Sequence, residues 1–113
     1  WVETYDQCSD LTIDSIHVDS KAIWNNDGID IVDCSDVSVT NSFIDSDDDG
    51  ICLKSQDLKS SCKNILVRNC TVRSSASAIK FGTTSLGGVS HIRILNNRIY
   101  DTYRSAGALE AVD

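Results

Sequence analysis

Apolar and polar positions recur along this chain with a long, regular period. Four short segments carry it: Leu11-Thr12-Ile13, Val37-Ser38-Val39, Ile65-Leu66-Val67 and Ile92-Arg93-Ile94, whose starts lie 26, 28 and 27 residues apart. Four residues after each start stand Ser15, Asn41, Asn69 and Asn96; seven after stand Val18, Ile44, Val72 and Ile99. A second unit follows three of the starts as Gly28-Ile29-Asp30-Ile31, Gly50-Ile51-Cys52-Leu53 and Ala78-Ile79-Lys80-Phe81, with Ala108-Leu109-Glu110-Ala111 as a weaker fourth copy. Within most units the period is two, that of a strand, and no stretch long enough for a helix has the 3.6-residue period.

Short strands on a fixed repeat predict a solenoid. Three strands per turn fit the length, so the expected fold is all-β: a single-stranded parallel β-helix of about four coils of roughly 27 residues. Leu11, Val37, Ile65 and Ile92 should form one inward row. Ser15, Asn41, Asn69 and Asn96 should stack at a bend, where Asn tolerates left-handed backbone and its amide can bond to the next rung. That ladder is expected to face inward, which argues against glycosylation at the sequon Asn69-Cys70-Thr71. Cys8, Cys34 and Cys62 each lie three residues before a repeat start, so a column of buried thiols, or a disulfide within it, is expected. Neither end has a capping helix, so residues 1–113 are expected to be part of one longer β-helix domain.

Composition narrows the function. Seventeen acidic against ten basic residues give a net charge of −7, leaving no basic stripe for nucleic acid. No apolar run approaches the length of a membrane helix. Five cysteines without a CxxC pair, and histidines as distant as His17 and His91, argue against structural zinc.

Two acidic turns are the candidates for chemistry. Asn25-Asn26-Asp27-Gly28 and Ser46-Asp47-Asp48-Asp49-Gly50 each precede a second-unit strand, one coil apart. Stacking should bring Asp27, Asp48 and Asp49 onto one accessible face. Carboxylates that close repel, and repulsion separates a protonated acid from an ionised base, as glycoside hydrolysis requires. Asp45-x-Asp47-x-Asp49-Gly50 also matches the first half of an EF-hand loop. Position twelve is Gln56, not Glu, and the flanks read as strands, so that reading is set aside.

Asn25-Asn26-Asp27-Gly28-Ile29-Asp30 followed by Asp47-Asp48-Asp49-Gly50-Ile51-Cys52-Leu53-Lys54-Ser55 resembles glycoside hydrolase family 28, the polygalacturonase-like pectinases. The family motifs Asn-Thr-Asp and Gln/Gly-Asp-Asp each differ here at one position, and the spacing agrees. The resemblance implies a right-handed parallel β-helix and inverting hydrolysis of a pectic or related plant polysaccharide. It implies Asp48 as general acid, with Asp27 and Asp49 holding and deprotonating the attacking water, and no metal or other cofactor. It also implies a secreted or periplasmic, monomeric enzyme whose partner is a polysaccharide, not nucleic acid or membrane.

Two later family motifs have no counterpart. No His stands near Ala76-Ser77-Ala78, where Gly-His-Gly is expected, and no basic pair near Leu109-Glu110-Ala111, where Arg-Ile-Lys is expected. Lys80 replaces part of that pair, with Lys54 and Arg104 as weaker candidates. The substrate-binding set is then Asn25, Asp47, Lys54, Lys80 and Glu110. A polysaccharide lyase on the same fold, and a non-catalytic carbohydrate-binding or adhesive β-helix, are the alternatives.

Overall fold

The computed structural model describes residues 1–21 and 24–110. Thirteen strands run in order: β1 (Glu3–Asp6), β2 (Ser9–Asp14), β3 (His17–Ser20), β4 (Ile29–Val32), β5 (Ser35–Thr40), β6 (Phe43–Ser46), β7 (Ile51–Ser55), β8 (Cys62–Arg68), β9 (Thr71–Ser74), β10 (Ser77–Ser85), β11 (Val89–Leu95), β12 (Arg98–Ile99) and β13 (Ser105–Leu109). Each coil gives one strand to each of three parallel sheets. Their orders are β1-β4-β7-β10-β13, β2-β5-β8-β11 and β3-β6-β9-β12. The chain is a parallel β-solenoid of about four turns, as the repeat predicts.

Register follows the repeat. Leu11, Val37, Ile65 and Ile92 stand in one row, and Val18, Ile44, Val72 and Ile99 in another. Their middle members are buried, because each apolar side chain is roofed by a like one on the rung above and the rung below. Cys8, Cys34 and Cys62 also stack. The Cys8 N–H donates to Cys34 Sγ at 3.4 Å, and all five thiols are free.

Two details of the prediction are corrected. Ser15, Asn41, Asn69 and Asn96 do take left-handed backbone, with φ between 53° and 57°, but their side chains point outward and are exposed. Backbone bonds such as Asn41 N–H to Arg68 C=O already satisfy the corner, so no inward amide is needed. Asn41 does bond across rungs, but from outside, its Nδ2 donating to Asp14 Oδ1 at 2.9 Å; a second column that bonds between rungs lies one residue later. There the Ile16 N–H donates to Ser42 Oγ, and the Cys70 N–H donates to Asn97 Oδ1.

The fourth copy of the second unit is likewise displaced. Ile79, Lys80 and Phe81 pair with Gly107, Ala108 and Leu109, two residues earlier than expected. Ala111 lies outside the described residues. An additional rung, β1, precedes the first copy, with Glu3 opposite Ile29 and Tyr5 opposite Ile31.

Candidate active site

The acidic turns sit where the third sheet bends into the first. Gly28 and Gly50 make that bend possible. A Cβ on Gly28 would lie 2.5 Å from Ile44 Cγ2, and one on Gly50 would lie 2.5 Å from the Ala78 carbonyl oxygen. Tight rung-to-rung contact then aligns the residues just before each glycine. Gly28 N–H donates to Asp49 C=O at 2.9 Å, so Asp27 and Asp49 occupy successive rungs. The buried hydroxyl of Ser46 donates to the carbonyls of Asp48 and Asp49, and that of Ser74 donates to the Asp48 carbonyl, pinning the second turn.

Asp27, Asp48 and Asp49 line one open cavity of about 200 Å³, together with Trp1, Asn25, Lys54, Lys80, Thr83 and Thr84. The expected convergence on one face is present. Asp27 is buried; its Oδ2 accepts from Lys54 Nζ at 2.9 Å and lies 3.5 Å from the Cys52 thiol. Asp49 is buried too. Its Oδ1 accepts from the Ser77 N–H at 2.9 Å, and its Oδ2 faces Lys80 Nζ at 3.2 Å. Asp48 is half-buried, and its Oδ1 accepts from the Asp49 N–H.

The remaining predicted residues divide. Asn25 lines the cavity, and its carbonyl accepts from the Trp1 ammonium. Lys80 spans Asp49 and Glu110, so Glu110 reaches the site through that lysine, with Thr83 Oγ1 donating to its carboxylate. Asp47 is exposed and does not line the cavity; it accepts a long bond from Ser75 Oγ. Its carboxylate faces solvent because the turn is held by the backbone carbonyls behind it. Arg104 is exposed and acts on the site only through its charge beside Glu110.

Charge is balanced locally. Burial pushes Asp27 up, but the Lys54 hydrogen bond and charge outweigh it, leaving the carboxyl below its ordinary value. Burial would lower Lys54 and Lys80; the acidic groups around each win, and both are held as ammonium. Burial and then the neighbouring Asp30 and Asp27 charges raise Cys52 well above the usual thiol range, so it stays a thiol. Oxygen and sulfur atoms of Asp27, Asp49 and Cys52 lie within 4.8 Å of one another. Both carboxylates already carry a lysine ammonium, which a cation would have to displace.

Sequence reasoning passed over Asp30. It stands on β4 in register with Cys52 on β7 and Lys80 on β10, the outer row of the first sheet. The alternation Ile29-Asp30-Ile31 carries that signal, since it places Asp30 on the face opposite the two isoleucines. Asp30 is fully buried, and its Oδ1 accepts from Lys54 Nζ at 2.5 Å. Trp1 covers Lys54, its ring centroid 3.9 Å from Nζ. A larger hollow of about 470 Å³ lies near β13, lined by residues such as Ile79, Phe81 and Leu109. It carries no titratable group and so no candidate chemistry. Comparison with protein-family models, curated proteins and solved structures finds no match to this chain.

Proposed function

We propose that this chain carries the catalytic rungs of an inverting glycoside hydrolase of the family 28 type, acting on a pectic or related plant polysaccharide. The observation that carries the reading is the convergence of Asp27, Asp48 and Asp49 on one open cavity at the bend between two sheets. The motif resemblance supplies the assignment of roles, and the chemistry of each carboxyl supports it.

Asp48 is the most exposed of the three and faces the cavity from the second turn. In this reading it carries the proton that passes to the glycosidic oxygen as the bond to the anomeric carbon breaks. Asp27 and Asp49 present oxygens close enough for one water to hydrogen-bond to both. That water attacks the anomeric carbon from the opposite face while its proton passes to one of the two carboxylates. A single displacement inverts the centre. The Lys54 ammonium beside Asp27 keeps negative charge where a base is required. Holding both lysines as ammonium favours hydrolysis over β-elimination, because elimination needs an uncharged base beside the sugar.

Asp48→Asn tests the reading. An amide cannot deliver the proton, so kcat should fall about 10²- to 10⁴-fold with an unchanged circular dichroism spectrum. Retention of wild-type rate would remove Asp48 as the acid. Reducing ends released from pectic glycans separate hydrolysis from binding alone, and product with no absorbance from an unsaturated sugar separates it from a lyase.

A further inference from the structure

The outer row of the first sheet holds a group that the proposed reaction does not use. Asp30 is completely buried, yet only one of its two carboxyl oxygens is satisfied: Lys54 Nζ sits on Oδ1, while Oδ2 has no hydrogen-bond partner. Lys54 Nζ is also bonded to Asp27 Oδ2 at 2.9 Å. That shared Nζ brings the Asp27 and Asp30 carboxyls side by side. One ammonium therefore serves two buried, neighbouring carboxyls.

Two ionised carboxyls cannot share that space. A buried acceptor without a donor is destabilising, and more so when it is charged. A proton on Asp30 removes the excess charge and turns the orphaned oxygen into a donor, and the Asp27 carboxylate is the acceptor at hand. The other groups packed around Asp30 offer no alternative. From β1 the residue in register is the uncharged Thr4. From β7 come Lys54, already placed, and Cys52, whose thiol points to Asp27. The Trp1 nitrogen is bonded to the Asn25 carbonyl, and Lys80 is taken by Asp49 and Glu110.

We propose that Asp30 is a positioning residue, held as the neutral acid and hydrogen-bonded to Asp27, so that Asp27 stays ionised and fixed in orientation toward the cavity. The assignment rests on the hydrolase reading for its catalytic meaning, but not for its proton. Burial and the adjacent Asp27 charge act together, against Lys54, to raise Asp30 to about 7. The pair titrates as a unit, with one proton kept to neutrality and the other lost well below it.

The test follows carboxyl carbons by NMR in the chain with 13C-labelled aspartate, assigned residue by residue, from acid to alkaline pH. Asp30 should titrate at about 7, and Asp27 below the ordinary carboxylate range. In Asp30→Asn, whose amide keeps the donor, the neutral-range step should vanish and Asp27 should stay low. In Asp30→Leu, which removes the donor, the Asp27 midpoint should climb. If Asp30→Leu fails to fold, the wild type and Asp30→Asn still decide. On a cleaved glycan, Asp30→Asn should keep most of its kcat at acid pH and lose any inflection near neutrality, whereas Asp30→Leu should lose kcat with little change in KM. Asp30 titrating in the ordinary carboxylate range, or a neutral-range step persisting in Asp30→Asn, overturns the proposal. A wild type that cleaves no glycan overturns the hydrolase reading instead, and the titration alone then judges Asp30.

Discussion

Replacing Lys54 by Met removes the charge that two buried carboxyls share while keeping a stem of similar length. Nζ lies 2.9 Å from Asp27 Oδ2 and 2.5 Å from Asp30 Oδ1, and all three side chains are at least nine-tenths buried. Removing one partner of a buried ion pair costs about 3–5 kcal/mol, mostly because the other charge is stranded. The position of each proton sets the pH dependence. In the wild type Asp27 is depressed, so its contribution is present above its unfolded value and lost as pH falls through the folded one. Without Lys54, burial of Asp27 is opposed only by the Asp30 and Cys52 hydrogen bonds, its folded value rises, and folding takes up a proton. At pH 4 to 5 that proton is available and the loss should sit near the lower end of the range. At pH 8 Asp30, raised further by the loss of Lys54, must also hold its proton against the solvent, and the loss should reach or pass the upper end. For a chain of 113 residues, 3–5 kcal/mol corresponds to roughly 12–20 °C in melting temperature. Urea unfolding followed by circular dichroism at several pH values reads it out, with Trp1 fluorescence as a local probe because its ring lies over Nζ. A loss of under about 1 kcal/mol, typical of a surface pair, or one that does not change with pH, would refute the account of this cluster.

Two further outcomes are expected. Gly50→Ala should cost about 1–3 kcal/mol by urea unfolding, since its Cβ meets the Ala78 carbonyl at 2.5 Å, whereas Gly107→Ala, with nothing nearer than 3.9 Å, should be nearly neutral. On substrates, kcat/KM should be higher for rhamnogalacturonan or a neutral glycan than for unbranched polygalacturonate. Both lysines at the cavity are already paired, so a sugar carboxylate must displace Asp27, Asp49 or Glu110 from an ammonium; clear preference for polygalacturonate overturns this.

Rows of branched aliphatics were readable because their register is imposed by the core: a slip at Val37 or Ile65 would expose a side chain that must be covered. The segment from Ala106 to Glu110 has no such constraint. Alanine and glycine fit either register, and the expected copy lies two residues later than the strand that forms. β1 is hidden for a related reason, since Glu3-Thr4-Tyr5-Asp6 shows no aliphatic alternation. At the bend, the asparagines were found but their direction was not, because left-handed backbone is visible in residue type while the side that the Cβ faces depends on how the rungs bond. Asp27, Asp48 and Asp49 were found because one coil of spacing brings them together. Asp30 is not legible in the same way, because its environment is made by Lys54 from the next strand and by Trp1, neither of which the local pattern relates to it.

Neighbouring rungs of this solenoid are joined by like corners, and each turn is a module of nearly constant length. Such a chain can grow by duplication of whole coils, each new module adding roughly 4.8 Å along the axis. The joints are not equivalent, however. A coil duplicated beyond Ser85 lengthens the molecule and leaves the acidic cavity's own two turns untouched. One duplicated between Asp27 and Asp49 preserves every corner and every aliphatic row, yet draws the two carboxylates a further rung apart and parts Asp27 from Lys54. Architecture and chemistry are thus set by different lengths of the same sequence: the former by any integral number of turns, the latter by the adjacency of a single pair.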